Sequence, residues 1–357
     1  MIPAKSKFFP LQLFLALALL SSAAAGALPA PLEPEARASA AAAYQRYCAL
    51  CHGDDRQGYA ADNAPSLRSH SLIASGGLGY LYSATWYGRP GTAMAAYGDQ
   101  FGGPLGRAEL IDLVRWLAEE SGVQGFLELP REPIKGDIAL GAMLYQRDCA
   151  SCHGAEGEGI DAPALAHPMF LSSVSDAFIR HAIANGREDT PMMAYADLLE
   201  AKELDALTAF LRSRASGWDA PEVALRSAPE LGDYVLNPDG DTPSFRLREG
   251  RFVAAADVEA AMRKKQRMVL IDARAMSDWQ RAHIPGAIPF PYYSEPERIV
   301  ADMPDDGTWI IVYCACPHAA SGRVVDALRA HGIPNTAIID EGAIVWTQLG
   351  FPIQAGW

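Results

Sequence analysis

Cysteine is scarce in this chain, and none is left over to staple distant segments together. Of the six cysteines, four fall in two Cys-x-x-Cys-His words, Cys48-Ala49-Leu50-Cys51-His52 and Cys149-Ala150-Ser151-Cys152-His153. The other two, Cys314 and Cys316, stand too close in sequence to join separate parts of the fold. A disulfide framework of the kind that supports small secreted proteins is thereby excluded. Positive charge is also short, with 30 Lys and Arg against 43 Asp and Glu and a formal charge of −13. Such a balance excludes nucleic acid as the natural partner and favours proteins with a basic surface. Long apolar runs are missing beyond residue 27, so nothing later in the chain is expected to cross a membrane.

What is present is an ordinary globular composition, 50% hydrophobic and 20% charged over 357 residues, long enough for two or three separately cored domains. Lys5 and Lys7 precede an apolar run from Phe8 to Leu20 and then the small residues Ala23, Ala25 and Ala27. This pattern predicts a secretory signal peptide over residues 1–27, cleaved after Ala25 or Ala27. Its removal would take the formal charge from −13 to −15. Left uncleaved, the same segment would anchor the protein in a membrane. Pro10, Gln12, Ser21 and Ser22 interrupt it and favour cleavage.

The two cysteine words belong to an internal repeat. Tyr44-Gln45-Arg46-Tyr47-Cys48 aligns with Tyr145-Gln146-Arg147-Asp148-Cys149, and a glycine follows each histidine at the same distance, Gly58 and Gly159. Further on, Ala64-Pro65-Ser66-Leu67 answers Ala162-Pro163-Ala164-Leu165. Gly88-Arg89 with Met94 and Tyr97 answers Gly186-Arg187 with Met192 and Tyr195, at identical spacing. Two thiols on one helical turn can each add to a vinyl group of the same porphyrin, and the histidine directly after them is then held beneath the iron. Zinc knuckles and thiol redox pairs do not account for the trailing histidine. A methionine from a later loop would complete a six-coordinate iron that changes oxidation state without binding substrate. Helices are expected over 36–48, 138–149, Glu109 to Glu120 and Lys202 to Ser213.

Residues 38–216 resemble the class I cytochrome c family in tandem. The resemblance implies two covalently attached haems c, bound through Cys48, Cys51, Cys149 and Cys152. It implies His52 and His153 as proximal ligands, Met94 and Met192 as distal ligands, and the carbonyls of Pro65 and Pro163 as acceptors from the proximal rings. It also implies redox proteins as partners. Ala95 and Met193 stand where the family often has proline, and Met193, Met169, His167, His181 and His70 are the alternative distal donors. Covalent haem c is installed after export, so the expected location is a bacterial periplasm.

From residue 216 to 249 the chain is rich in Pro, Gly and acidic residues and reads as a linker, with a turn at Asn237-Pro238-Asp239-Gly240. Beyond it, strands at Met268 to Ile271, Trp309 to Tyr313 and Ala337 to Ile339 alternate with helices near 255–265, 276–282 and 322–331. That alternation predicts an α/β domain with a parallel sheet. The words Leu270-Ile271-Asp272-Ala273-Arg274, Asp278-Trp279, His283-Ile284-Pro285-Gly286-Ala287-Ile288, Val312-Tyr313-Cys314 and Glu341-Gly342-Ala343 resemble the rhodanese family over 250–357.

This second resemblance implies sulfur transfer through a persulfide on Cys314, at the end of the central strand, from thiosulfate or polysulfide, with sulfide counted among the small-molecule partners. Arg323 on the following helix would add charge for an anionic substrate. The loop departs from the usual one by a second thiol, Cys316, which is the alternative nucleophile, and by Pro317 and His318. The expected architecture is therefore a multidomain chain. Two all-α cytochrome c domains, 36–123 and 137–215, precede an α/β rhodanese-like domain with a parallel sheet. Its expected function is periplasmic electron transfer with sulfane-sulfur handling, plausible in inorganic sulfur oxidation. The alternative is a pure electron carrier whose third domain is an inactive docking or thiol/metal-sensing module.

Overall fold

The computed structural model describes residues 26–217, 234–315 and 318–355. Most of the expected signal peptide, part of the expected linker, and Cys316 lie outside the described residues. Among those described, no helix is long and apolar enough to cross a membrane.

The first half is helical. Helices α1 (Pro34–Tyr47), α2 (Ala49–His52), α3 (His70–Tyr87) and α4 (Arg107–Glu120) form one unit. Helices α5 (Ile138–Asp148), α6 (Ala150–His153), α7 (Pro168–Ser173), α8 (Asp176–Asn185) and α9 (Ala201–Ser213) form the next. Each unit crosses its incoming helix with its closing one. In the first, Tyr44 on α1 packs on Trp116 of α4 at 5.3 Å between ring centroids; in the second, Tyr145 on α5 packs on Phe210 of α9 at 5.2 Å. Close approach of α5 to α9 depends on Gly141, where a Cβ would stand 2.1 Å from the Ala206 carbonyl oxygen.

The two helical units touch through α3, α7 and α8. Tyr80 packs on Phe178 at 5.2 Å, and His167 Nε2 lies 2.9 Å from the Pro90 carbonyl. Glu188 accepts from the Ser71 amide at 2.9 Å and the Ser69 hydroxyl at 2.8 Å. Burial pushes the Glu188 carboxyl up, but the hydrogen bonds from Ser71 and Ser69 outweigh it and bring it from 4.5 down to about 2. A depressed carboxylate contributes stability that is complete above its unfolded value and is lost as pH falls through its folded one. Acidification from pH 4.5 to 2 is therefore expected to weaken this junction, and Glu188→Gln to remove that part of the pH dependence. Thermal unfolding across the range checks it: parent and variant profiles that stay parallel would contradict the assignment.

The second half is an α/β/α sandwich. Strands β1 (Phe252–Val253), β2 (Met268–Asp272), β3 (Ile288–Pro289), β4 (Trp309–Tyr313) and β5 (Thr336–Ile339) pair in parallel in the order β1-β5-β4-β2-β3. Helices α10 (Ala255–Arg263), α11 (Met276–Arg281), α12 (Pro296–Val300), α13 (Ala319–Ala330) and α14 (Gly342–Gln348) complete it. The period-two alternation of a strand sends Val269, Ile271, Ile310 and Val312 to the face under α12 and α13. Met268, Leu270, Ile311 and Tyr313 go to the face under α10 and α14. Both faces are covered, which is why β2 and β4 are near-continuous apolar runs. Residues 234–249, within the stretch read as a linker, lie against this sheet: Tyr234 is buried in the core, and Leu236 exchanges backbone hydrogen bonds with Met268.

Candidate functional site

The two cysteine words fold alike. Cys48 and Cys149 end their helices at φ/ψ of −117°/−37° and −120°/−35°, and Gly53 and Gly154 follow at 81°/152° and 85°/152°. The tyrosine of each repeat locks its turn, Tyr44 donating to the Gly53 carbonyl at 2.6 Å and Tyr145 to the Gly154 carbonyl at 2.8 Å. His52 and His153 are buried, and each presents Nδ1 at 2.8 Å from a proline carbonyl, Pro65 and Pro163. Burial lowers both imidazole pKa values below the ordinary range, which keeps the rings neutral, the form that ligates a metal.

The distal candidates are also set by matching turns. Arg89 N donates to the Met94 carbonyl and Arg187 N to the Met192 carbonyl, while Met94 N and Met192 N each donate at 3.1 Å to a threonine hydroxyl, Thr92 and Thr190. These threonines were not singled out from the sequence, although the repeat carried them at equal positions. The loops double back closely at Gly88 and Gly186, with φ of 63° and 66°. A Cβ there would meet Ala95 at 2.3 Å and the Met192 carbonyl oxygen at 2.5 Å. Met193 points outward and is 54% exposed, and His167 is engaged with Pro90. The donors fit haem c: four thiols that form no disulfide, two neutral imidazoles fixed by their Nδ1 bonds, and two thioethers on equivalent turns.

In the α/β unit Cys314 directly follows β4, and the chain then turns through His318, at φ 94°, into α13. The Cys314 Sγ lies 3.3 Å from the Ser321 hydroxyl. Burial raises the thiol pKa, and opposing donors, the Ser321 hydroxyl and amide and the His318 amide, reduce the rise without cancelling it. His318 is fixed by Nε2 on the Asp340 carbonyl and by its ring on Phe252, 4.5 Å away. Arg323 is exposed. It stands two positions beyond Ser321, about 200° around the helix from the residue that faces the sulfur, so the fold does not bring it to Cys314.

A linker by itself holds two domains near one another without fixing a contact. The structure fixes one. Leu50, between the two cysteines of the first word, packs against the core of the α/β unit together with Ala320, and α2 lies against α13. Ser277 donates to the Ala96 carbonyl at 2.6 Å, and Arg46 reaches Glu295 at 2.9 Å. The sequence held one sign of this: Leu50 is apolar where the second word has Ser151.

A family profile described as cytochrome C oxidase, cbb3-type, subunit III matches residues 35–117 and 136–211, and a rhodanese-like domain profile matches 254–349. The chain is 28% identical over 195 residues to the Cbb3-type cytochrome c oxidase subunit FixP of Bradyrhizobium sp. (strain ORS 278), which covers 51% of this chain and 62% of that protein. It is 36% identical over 88 residues to the dihydro-heme d1 dehydrogenase of Pseudomonas aeruginosa, covering 24% of this chain and 18% of that one. Over the α/β unit it is 29% identical across 94 residues to the thiosulfate:glutathione sulfurtransferase of Saccharomyces cerevisiae, covering 23% of this chain and 67% of that one. The chain spans about three fifths of the length of the oxidase subunits it matches. Repeat, sites, sheet and comparisons agree that this chain joins tandem c-type cytochrome domains to a C-terminal rhodanese-like domain.

Proposed function

We propose that the chain is a periplasmic diheme electron-transfer protein that takes up sulfane sulfur on Cys314 in inorganic sulfur oxidation. In this reading Cys48, Cys51, Cys149 and Cys152 attach two haems, with His52 and His153 as proximal and Met94 and Met192 as distal ligands. Haem c bound there supplies one-electron chemistry. The Cys314 thiolate attacks the outer sulfur of thiosulfate. A sulfur–sulfur bond forms to Sγ, the original one breaks, and sulfite leaves with its electron pair. The Ser321 hydroxyl and the amides of Ser321 and His318 stabilise the resulting persulfide anion, as loop amides at a helix start do for other anions.

The observation that carries this reading is the packing of the first haem-attachment turn, α2, on the helix that shapes the Cys314 loop. Cys314 and Cys51 are near enough for charge on one to act on the other. Partners with a basic surface follow from the formal charge of −13. Burial of Cys314, 4% exposed, favours a second reading in which the rhodanese-like domain is an inactive docking module.

Titration of the oxidised holo-protein with thiosulfate, sulfide and polysulfide, followed in the haem bands, separates the two. Reduction by at least one of them is expected in the parent, because joining sulfide to the Cys314 thiolate as a persulfide, or oxidising the Cys314-bound sulfane sulfur with water to sulfite, releases electrons that bound haem would accept, and it is expected to be lost in Cys314→Ser. Reduction that is absent, or indifferent to that change, would leave an electron carrier with a docking domain.

A further inference from the structure

The second cytochrome domain joins its own loop to its own attachment word. Tyr195, three residues past Met192, donates its hydroxyl at 3.1 Å to the carbonyl of Asp148, the residue before Cys149. The repeat places Tyr97 and Tyr47 at the equivalent positions of the first domain. There the direct bond is replaced. The hydroxyl of Tyr292, from the rhodanese-like domain, lies 2.8 Å from that of Tyr97 and donates to the Tyr47 carbonyl. A phenol has one proton to give. That of Tyr292 goes to Tyr47, so Tyr97 donates to Tyr292, and a two-step relay spans what a single bond spans in the other copy.

We infer that Tyr292 is a positioning residue of the first cytochrome domain, tying the loop that carries Met94 to the Cys48-x-x-Cys51 word, so that the rhodanese-like domain completes the first haem site and not the second. Independent contacts converge on the same two segments. Ser277 holds the loop at the Ala96 carbonyl, two residues past Met94. On the attachment side, the Tyr293 ring meets Tyr47 edge-on at 5.1 Å and its carbonyl accepts from Arg46. Tyr97 and Tyr292 are both buried, each 7% exposed, so neither hydroxyl has ready solvent to replace a lost partner. The attachment words differ accordingly: Cys51 is partly covered, whereas its counterpart Cys152 is exposed.

The inference rests on the haem reading above and is independent of the sulfur reading. A thioether ligand raises the potential of a haem iron, so loosening the loop that presents it lowers the potential. The test is a spectroelectrochemical titration of the full holo-protein carrying Tyr292→Phe, Tyr97→Phe, both together, or Tyr195→Phe. Tyr292→Phe is expected to lower one of the two midpoint potentials and Tyr195→Phe the other. Tyr97→Phe should lower the same one as Tyr292→Phe, and the double variant should shift it by less than the sum, because both changes break one relay. If Tyr292→Phe fails to fold, Tyr97→Phe against Tyr195→Phe carries the comparison from the cytochrome side. The inference is overturned alone if the Tyr97 and Tyr292 variants leave both potentials in place, or move the potential that Tyr195→Phe moves. A chain that incorporates no haem overturns it together with the haem reading.

Discussion

Replacing Asp272 with alanine is expected to destabilise the rhodanese-like domain by about 3–5 kcal/mol, the usual cost of leaving a buried charge without its partner. Asp272 ends β2, is 0% exposed, and receives Arg274 in a fork, with Nη2 at 2.6 Å and Nε at 2.9 Å. It also accepts from the Tyr313 hydroxyl at 2.9 Å. Burial works against the Arg274 charge, but Asp272 outweighs it and holds the guanidinium strongly protonated. Without the carboxylate, Arg274 keeps only the Ala282 carbonyl among the acceptors described here, and the Tyr313 hydroxyl loses its own. Removing both charges at once, as in Asp272→Asn with Arg274→Met, should cost less than Asp272→Ala because no lone ion remains. Denaturant unfolding followed by circular dichroism measures the difference. A shift under about 1 kcal/mol, the scale of exposed pairs, would mean that water reaches the pair.

Met94→Ala and Met192→Ala are each expected to abolish the weak sulfur-to-iron absorption at the red edge for one haem, and together to remove it. Each variant should also bind carbon monoxide when reduced, since an iron that has lost its thioether has an open position. The two turns that present these methionines are alike down to the threonine that receives the methionine amide, so similar losses are expected from both. A band unchanged in both variants would place the distal ligands elsewhere, with the buried Met169 of α7 as the next candidate.

The two Cys-x-x-Cys-His words were legible in the sequence because the covalent haem chemistry proposed for them calls for that residue type and spacing, and a duplicated copy shows which neighbours matter. Strands β2 and β4 were legible for a different reason: a strand covered on both faces is an uninterrupted apolar run. The two-residue strands β1 and β3 are too short for any periodicity. Helix α3 was missed because Gly76, Gly77 and Gly79 weaken its interior, and it is bent at Gly77, with φ 63°. Burial of Ile73, Leu81 and Trp86 holds it in place, and that arises from packing, not from local propensity. The contacts of Tyr292 and Ser277 were not legible at all. They join residues far apart in the chain, and no local pattern marks a side chain that will be used by another domain.

The order of the domains along the chain is not their order in space. The rhodanese-like domain follows the second cytochrome domain in sequence, yet the contacts described here seat it on the first. The first domain thus touches both neighbours, its duplicate through α3 and the α/β unit through α2. In the proposed function, the described contacts make the first cytochrome domain the intermediate between Cys314 and the second, and the two copies of the repeat, alike in local geometry, serve as a junction and a terminus.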